Sequence, residues 1–312
     1  MESTNFETIV HPSAETTGIL EEVIPQACST CGGQKSGTMQ PGDPGRPNVP
    51  MPQSAPTRNY IYAIGRIESK FPSISVEKEF AQLLGSVDTK GLTDREAFHK
   101  VLSNPHNIYI ARQLCWSMSI AGVDTYIVLP RNPSDLGLLI ESLRPAPDQE
   151  ALDAVIGIKG PMAPADMCNG LTLPIVFFDH MYSFDRKSLL ATIPVPKGTD
   201  KKEFEPTKAE VLDRILASTD NAGATDPQRA LNYLALRDPG IYARTAECFS
   251  REMALTSIET RPWRLSTARK VVEVIFTFTQ RKNEFVEKYS TRVDVNDEFP
   301  FLNSKMAAFY EH

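Results

Sequence analysis

Four groupings in this chain hold residue types able to do chemistry. Cys28 and Cys31 form a Cys-Ser-Thr-Cys pair followed by Gly32-Gly33. Half a zinc knuckle has this spacing, but structural zinc takes four ligands, usually from two such pairs. No second pair exists, and His11, His99, His106 and His180 are scattered along the chain. A thioredoxin-like redox pair belongs on a strand-to-helix turn, not in a Gly/Pro-rich linker. The expectation is an unstructured thiol pair, with zinc on Cys28 and Cys31 as the weaker alternative and no other cofactor.

Asp179-His180, with Ser183 and Asp185 nearby, has the residue types of a Ser/His/Asp hydrolase. It lacks the strained elbow such a nucleophile needs, so solvated strand-end residues are expected. The segment 220–229 gathers Asp220, Asn221, Thr225, Asp226 and Arg229 around Gly223. A carboxylate-lined cation loop looks similar, but the calcium spacing that ends in a bidentate Glu is missing. A helix connection is expected, with Asp220, Asp226 and Arg229 retained as candidate ligand or partner contacts. The last grouping is Arg261-Pro262-Trp263-Arg264, then Arg269-Lys270. Trp and Arg are enriched at the centres of protein contacts, so Trp263, Arg264 and Arg269 are candidates for holding an acidic peptide. No residue is assigned a catalytic role. Gly157-Ile158-Lys159-Gly160-Pro161 follows a strand, but without the Gly-Lys-Ser/Thr ending and with Pro161 lacking an N–H a turn is expected there and not a phosphate loop.

The elements that must position these groups read as α/β. Tyr60 to Ile64 is a first strand. Val76, Phe80, Leu83 and Leu84 recur at helical spacing. Thr93-Asp94-Arg95-Glu96 is a capping box for a second helix. A third helix opens at Asn104-Pro105, with Ile108, Ala111, Leu114, Cys115 and Met118 as its stripe, which makes Cys115 a small core hydrophobe. Strands follow over 123–129, 154–158 and 173–178, with a helix after Asn132-Pro133 and another over 185–193. Residues 196–206, rich in Lys, Glu, Pro and Gly, mark an internal boundary. Thr207-Lys208-Ala209-Glu210 is a second capping box, and Asp226-Pro227 and Asp238-Pro239 start further helices by the N-cap and Pro-at-N1 preference. Strands over 253–261, 268–279 and 285–295 end the pattern. In the last, Lys288, Ser290, Arg292 and Asp294 alternate with Phe285, Tyr289, Val293 and Val295 and point away from the core.

The fold class is thus α/β: an N-terminal mixed α/β lobe over 59–198, then an α+β lobe over 199–305 with helices before an antiparallel sheet. Residues 306–312 are a short tail. Residues 1–58 are a Pro/Gly-rich segment with too little apolar surface to offset chain entropy, so disorder is expected there. Within it, Gly18 to Ile24 is a short acidic amphipathic stretch, too short to hold a helix alone. The chain of 312 residues has 41% hydrophobic residues and a net charge of -6, which disfavours nucleic acid as a partner. No apolar run reaches the ~20 residues of a membrane helix. The start carries no signal-peptide pattern, so a cytoplasmic protein is expected. The surface allows a homo-oligomer.

Taken in order, the elements resemble the C-terminal region, a domain of unknown function, of the cyanobactin maturation proteases PatA and PatG. The resemblance runs from about 60 to 305. It is carried by Tyr60-Ile61-Tyr62-Ala63-Ile64-Gly65, by Cys115-Trp116 with Asp124-Thr125-Tyr126-Ile127-Val128, and by Thr225 to Tyr233. Lys270 to Val274 and Arg292 to Val295 complete it. Proteases of that family cleave and macrocyclise ribosomally made precursor peptides through a subtilisin-type Asp, His and Ser. No Gly-Thr-Ser-type nucleophile segment stands in this sequence, so that activity does not carry over. The resemblance implies an accessory or scaffold role in the maturation of cyanobactin-like peptides, leaning away from an enzyme. The partner it implies is a precursor peptide or a subtilisin-like maturation protease. Two alternatives stand beside it: an enzyme with an unfamiliar site, and an N-terminal segment that behaves as a fused, modified precursor.

Overall fold

The first strand shows why this chain closes a barrel. In β1 (Tyr60–Lys70) both faces are apolar, and Ile61, Ala63 and Ile67 have no exposed surface. Its first half pairs antiparallel with β4 (Ala151–Met162), and its second half with β2 (Cys115–Ile120). β3 (Val123–Pro130) follows β2 through an Ala121-Gly122 turn in which both residues have positive φ, as a two-residue hairpin requires. β3 then lies parallel to β5 (Pro174–Asp185), which pairs antiparallel with β4 and closes the ring in the order β1-β2-β3-β5-β4. The computed structural model describes residues 59–145, 151–193, 195, 201–217, 221–263, 269–280, 282 and 285–310.

Short helices pack apolar stripes against this barrel: α1 (Ile74–Gly85), α2 (Asp94–Leu102), α3 (Ile108–Gln113) and α4 (Leu136–Ser142). The expected capping box at Thr93 forms, with Thr93 N–H donating to Glu96 Oε2 at 2.7 Å. Two expectations here need correction. The third helix stops at Gln113, and Cys115 to Ile120 is a strand buried on both faces. Cys115 is also not a free core thiol, because it is bonded to Cys168 on the connection between β4 and β5.

The second half begins with α5 (Arg186–Thr192), whose Leu190 joins the second core and not the barrel core. α6 (Lys201–Leu216) runs through Pro206, so the capping box expected at Thr207 lies inside a helix. Phe204, Lys208, Val211, Leu212 and Ile215 are all buried at helical spacing. Burial of that stripe outweighs the local preference to stop at proline. Lys208 is itself buried and satisfied, donating to the Leu190 carbonyl at 2.7 Å and pairing with Glu205 at 2.9 Å.

α7 (Asp226–Arg237) and α8 (Pro239–Phe249) cover one face of a four-stranded antiparallel sheet. Its strands are β6 (Met253–Pro262), β7 (Val271–Gln280), β8 (Val286–Asp294) and β9 (Phe301–Ala308), in that order. β9 enters the region expected to be a tail beyond 305. Its Leu302, Ser304 and Met306 turn inward while Phe301, Asn303 and Lys305 face out. All described residues belong to one compact unit. Among them, no helix is long and apolar enough to cross a membrane.

Candidate functional site

The sequence candidates fall into two places. The first is the segment before α7. Thr225, and not Asp226, is the N-cap: its hydroxyl accepts from Gln228 N–H, and the Gln228 side chain returns to the N–H groups of Ala224 and Thr225. The loop ahead of it lies against β1. Tyr62 N–H donates to the Gly223 carbonyl at 2.9 Å, and Asn232 Nδ2 donates to the Tyr62 carbonyl at 2.7 Å. At Tyr62 the ladder with β2 has not yet begun, so these two bonds satisfy backbone groups that the barrel leaves open. Gly223 has φ +68, and a Cβ there would lie 2.1 Å from the Tyr62 carbonyl oxygen. Tyr126 closes the seam by donating to the Ala222 carbonyl at 2.9 Å.

Arg229 is buried behind this seam. It donates to the Val295 carbonyl at 2.8 Å and also to the carbonyls of Asp297 and Glu298. Asp226 pairs loosely with it at 3.5 Å and with Lys270 at 3.6 Å. Burial pulls the guanidinium below its ordinary value, and Asp226 opposes that pull. The Nη1 and Nη2 donors of Arg229 are therefore engaged within the fold, while its Nε is buried without a partner among the described residues. Arg269 lies 3.5 Å from the buried Asp294. Asp220 and Arg264, like Cys28 and Cys31, lie outside the described residues.

The same loop past β8 meets the end of β5. Glu298 faces Asp179, and burial first, then Asp179, pushes the Glu298 carboxyl up to about 7. Among the described residues Glu298 Oε1 is buried without a hydrogen-bond partner, and Asp179 Oδ2 is buried with Arg131 as its ionic contact. Arg131 Nη2 approaches Asp179 Oδ2 to 2.9 Å. His180 packs edge-on against Phe299 instead of joining them. Ser183 donates to the buried Asp153 at 2.5 Å, and Asp185 caps α5. The Ser/His/Asp grouping is thus not assembled.

The second place is on the outer face of the four-stranded sheet, where Trp263 stands. A cleft of about 300 Å³ is lined by Arg261, Trp263, Glu273, Ser290, Arg292, Phe309 and Tyr310, among others. At its floor Glu273, near the start of β7, is 1% exposed although it lies on the face opposite the core. Arg261 holds Glu273 Oε2 through Nε at 2.8 Å and Nη2 at 2.7 Å. Arg292 holds Oε1 through Nε at 3.2 Å. Each guanidinium also stacks on a ring: Arg292 over Trp263 at 3.4 Å, and Arg261 over Phe309 at 4.7 Å. Antiparallel register explains the convergence, because Glu273 sits directly between Arg261 on β6 and Arg292 on β8. Of the sequence candidates that lie among the described residues, Trp263 lines this cleft. A signal for the rest did exist: Glu273 interrupts the apolar run Val271-Val272-Glu273-Val274-Ile275, and both flanking strands place an Arg opposite it.

Comparison with known proteins follows the same division. No curated protein matches the chain. Among solved structures, the PatG Domain of Unknown Function superposes with a TM-score of 0.67 at 18% identity, covering 81% of this chain and 99% of that one. At that identity the likeness concerns the fold. The model of the PatG C-terminal family matches residues 198–309, which hold α6 to α8, the whole four-stranded sheet and the cleft lining up to Phe309. The segment 198–309 is thus similar to the PatG C-terminal family, within a chain that shares the fold of the PatG domain of unknown function.

Proposed function

We propose that this chain is a noncatalytic accessory protein in the maturation of ribosomally made, cyanobactin-like peptides, binding a precursor peptide or a subtilisin-like maturation protease. The observation that carries this reading is the cleft around Glu273. Two guanidiniums fixed by one buried carboxylate and two rings form a preorganised contact surface, with Trp and Arg in the arrangement that dominates protein contacts. The protein works without a cofactor, away from nucleic acid and membrane, either singly or as a homo-oligomer. Calorimetry of the full chain against candidate precursor peptides and against the protease tests the proposal. A saturable heat with at least one of them is expected. Absence of binding to all of them at high micromolar concentration sinks it.

The paired carboxyls of Asp179 and Glu298 favour a second reading, an enzyme with an unfamiliar acid–base site. Incubation of the chain with precursor peptide, followed by mass spectrometry, separates the two readings. A product formed by the native chain and lost with Glu298→Gln replaces the accessory role with the enzymatic one. A third reading, in which the segment around Cys28 and Cys31 is a fused precursor, predicts a modified or cleaved N-terminus by intact mass from the native host.

The protein is placed in the cytoplasm, where the Cys115–Cys168 bridge would be unusual. That placement predicts that both thiols are recovered reduced when cells are quenched with an alkylating agent. Recovery of the intact bridge moves the protein to an oxidising compartment.

A further inference from the structure

Resting on the peptide-binding reading above, we infer that the Glu273 cleft takes the free C-terminus of a peptide, its α-carboxylate on Arg261 and Arg292 and its last side chain against Trp263 and Tyr310. Charge is the first argument. Two guanidiniums share one buried carboxylate, so the cleft keeps one positive charge. That balance suits a single carboxylate. A phosphate dianion would bring a second negative charge against the buried Glu273, with nothing in the cleft lining to offset it.

Donors are the second argument. Glu273 engages Nε and Nη2 of Arg261 and Nε of Arg292. Arg261 Nη1 and both Nη atoms of Arg292 have no protein acceptor among the described residues. A carboxylate accepts from such forks in the plane of the guanidinium, with charge-assisted strength. The stacking on Trp263 and Phe309 fixes both forks before any ligand arrives, which removes much of the ordering cost of binding.

Size and shape favour a chain end over a passing segment. A cleft of about 300 Å³ is at the small end of ligand sites and holds one or two residues. The apolar lining lies beside the charged floor: Tyr310 is 73% exposed, and Phe309 and Trp263 stand with it at the rim. An α-carboxylate and the side chain of the same residue would meet both features at once. An acidic side chain within a longer peptide would also have to lay its backbone over the rim.

The probes are three fluorescein-labelled pentapeptides of one apolar sequence ending in Phe: the free acid, its C-terminal amide, and the amide with one internal Glu. Polarisation with the full chain reads binding. The free acid is expected to saturate, and the amide to bind about tenfold or more weakly, a loss of about 1.4 kcal/mol. Arg292→Gln and Arg261→Gln should each remove the preference for the acid, while Lys282→Gln, at the far end of the β7–β8 hairpin, should leave it intact. Unfolding midpoints check that the Arg variants fold, and Arg292→Lys provides a second test because it keeps the charge but loses the fork.

Equal affinity for acid and amide overturns the carboxylate anchor and leaves peptide binding standing. Equal affinity for the acid and the Glu-containing amide overturns recognition of a chain end. No binding of the free acid up to millimolar concentration overturns the inference outright. Saturation by the free acid, with no heat from precursors or protease, upholds the inference and removes the accessory role instead.

Discussion

Arg229 and Arg261 stand in segments that the sequence nominates as possible contacts, yet Arg229 and the pair Arg261–Arg292 do opposite work. Arg229 is buried, and its guanidinium is engaged by the carbonyls of Val295, Asp297 and Glu298. Arg261 and Arg292 are anchored at one edge by Glu273 and open at the other. The difference lies in the acceptors. Around Arg229 they are the backbone carbonyls of Val295, Asp297 and Glu298 in the turn after β8. Around Glu273 there is one carboxylate for two cations. The seam before α7 is therefore a structural joint, and the cleft on the sheet keeps guanidinium edges that Glu273 does not occupy. Composition alone does not separate the two, because both contain Arg, acidic and aromatic residues.

Substitutions can break or sharpen this contrast. Gly223→Ala forces a Cβ onto the Tyr62 carbonyl in a backbone conformation that disfavours it, and should cost about 3 kcal/mol or more of stability by chemical denaturation. Arg229→Ala should cost about 3 kcal/mol, because it strands buried carbonyls. Glu273→Gln should cost less, about 1–2 kcal/mol, since both arginines can turn to water. A larger loss for Glu273→Gln than for Arg229→Ala would reverse the assignment of joint and surface. Thr225→Ala, which removes the α7 cap, should cost about 1 kcal/mol.

A smaller effect tests the Asp179–Glu298 contact. The folded-state pKa of Glu298 lies at about 7, above that of a carboxyl in the unfolded chain. Its contribution to stability is therefore complete below the ordinary carboxylate range and is lost as pH rises through about 7. The denaturation midpoint should fall between about pH 5 and about pH 8, and Glu298→Gln should flatten that slope. Arg131, Arg229 and His180 face or adjoin the same pair, so the slope that Glu298→Gln removes is the part belonging to Glu298.

Much of the fold was legible where local pattern and burial agree. The strands at Tyr60 and Val123, the capping box at Thr93 and the helices after Asn132 and Asp238 follow from spacing and caps. β2 was hidden because Ile108, Ala111, Leu114, Cys115 and Met118 fit a helical stripe, while a strand buried on both faces shows no alternation. The Ala121-Gly122 hairpin turn was the cue against that helix. At Pro206 a sound local rule lost to the buried stripe of α6. β9 was not assigned a strand, because an Asp- and Pro-containing approach hides its start and its end, 306–308, falls in the stretch expected to be a tail. The cleft was half legible. Trp263 was marked by type, whereas Arg292 and Ser290 read as solvated outward residues because nothing local announces that Glu273 lies beneath them.

Tyr62 leaves a last consequence for the protein during its synthesis. Its carbonyl is capped by Asn232, 170 positions later in the chain. Until α7 has left the ribosome, the exposed half-edge of β1 is a template to which any extended segment can add. A chain stalled or truncated before Asn232 would thus present a nearly complete barrel with one unguarded margin, and its expected fate is pairing with other nascent chains.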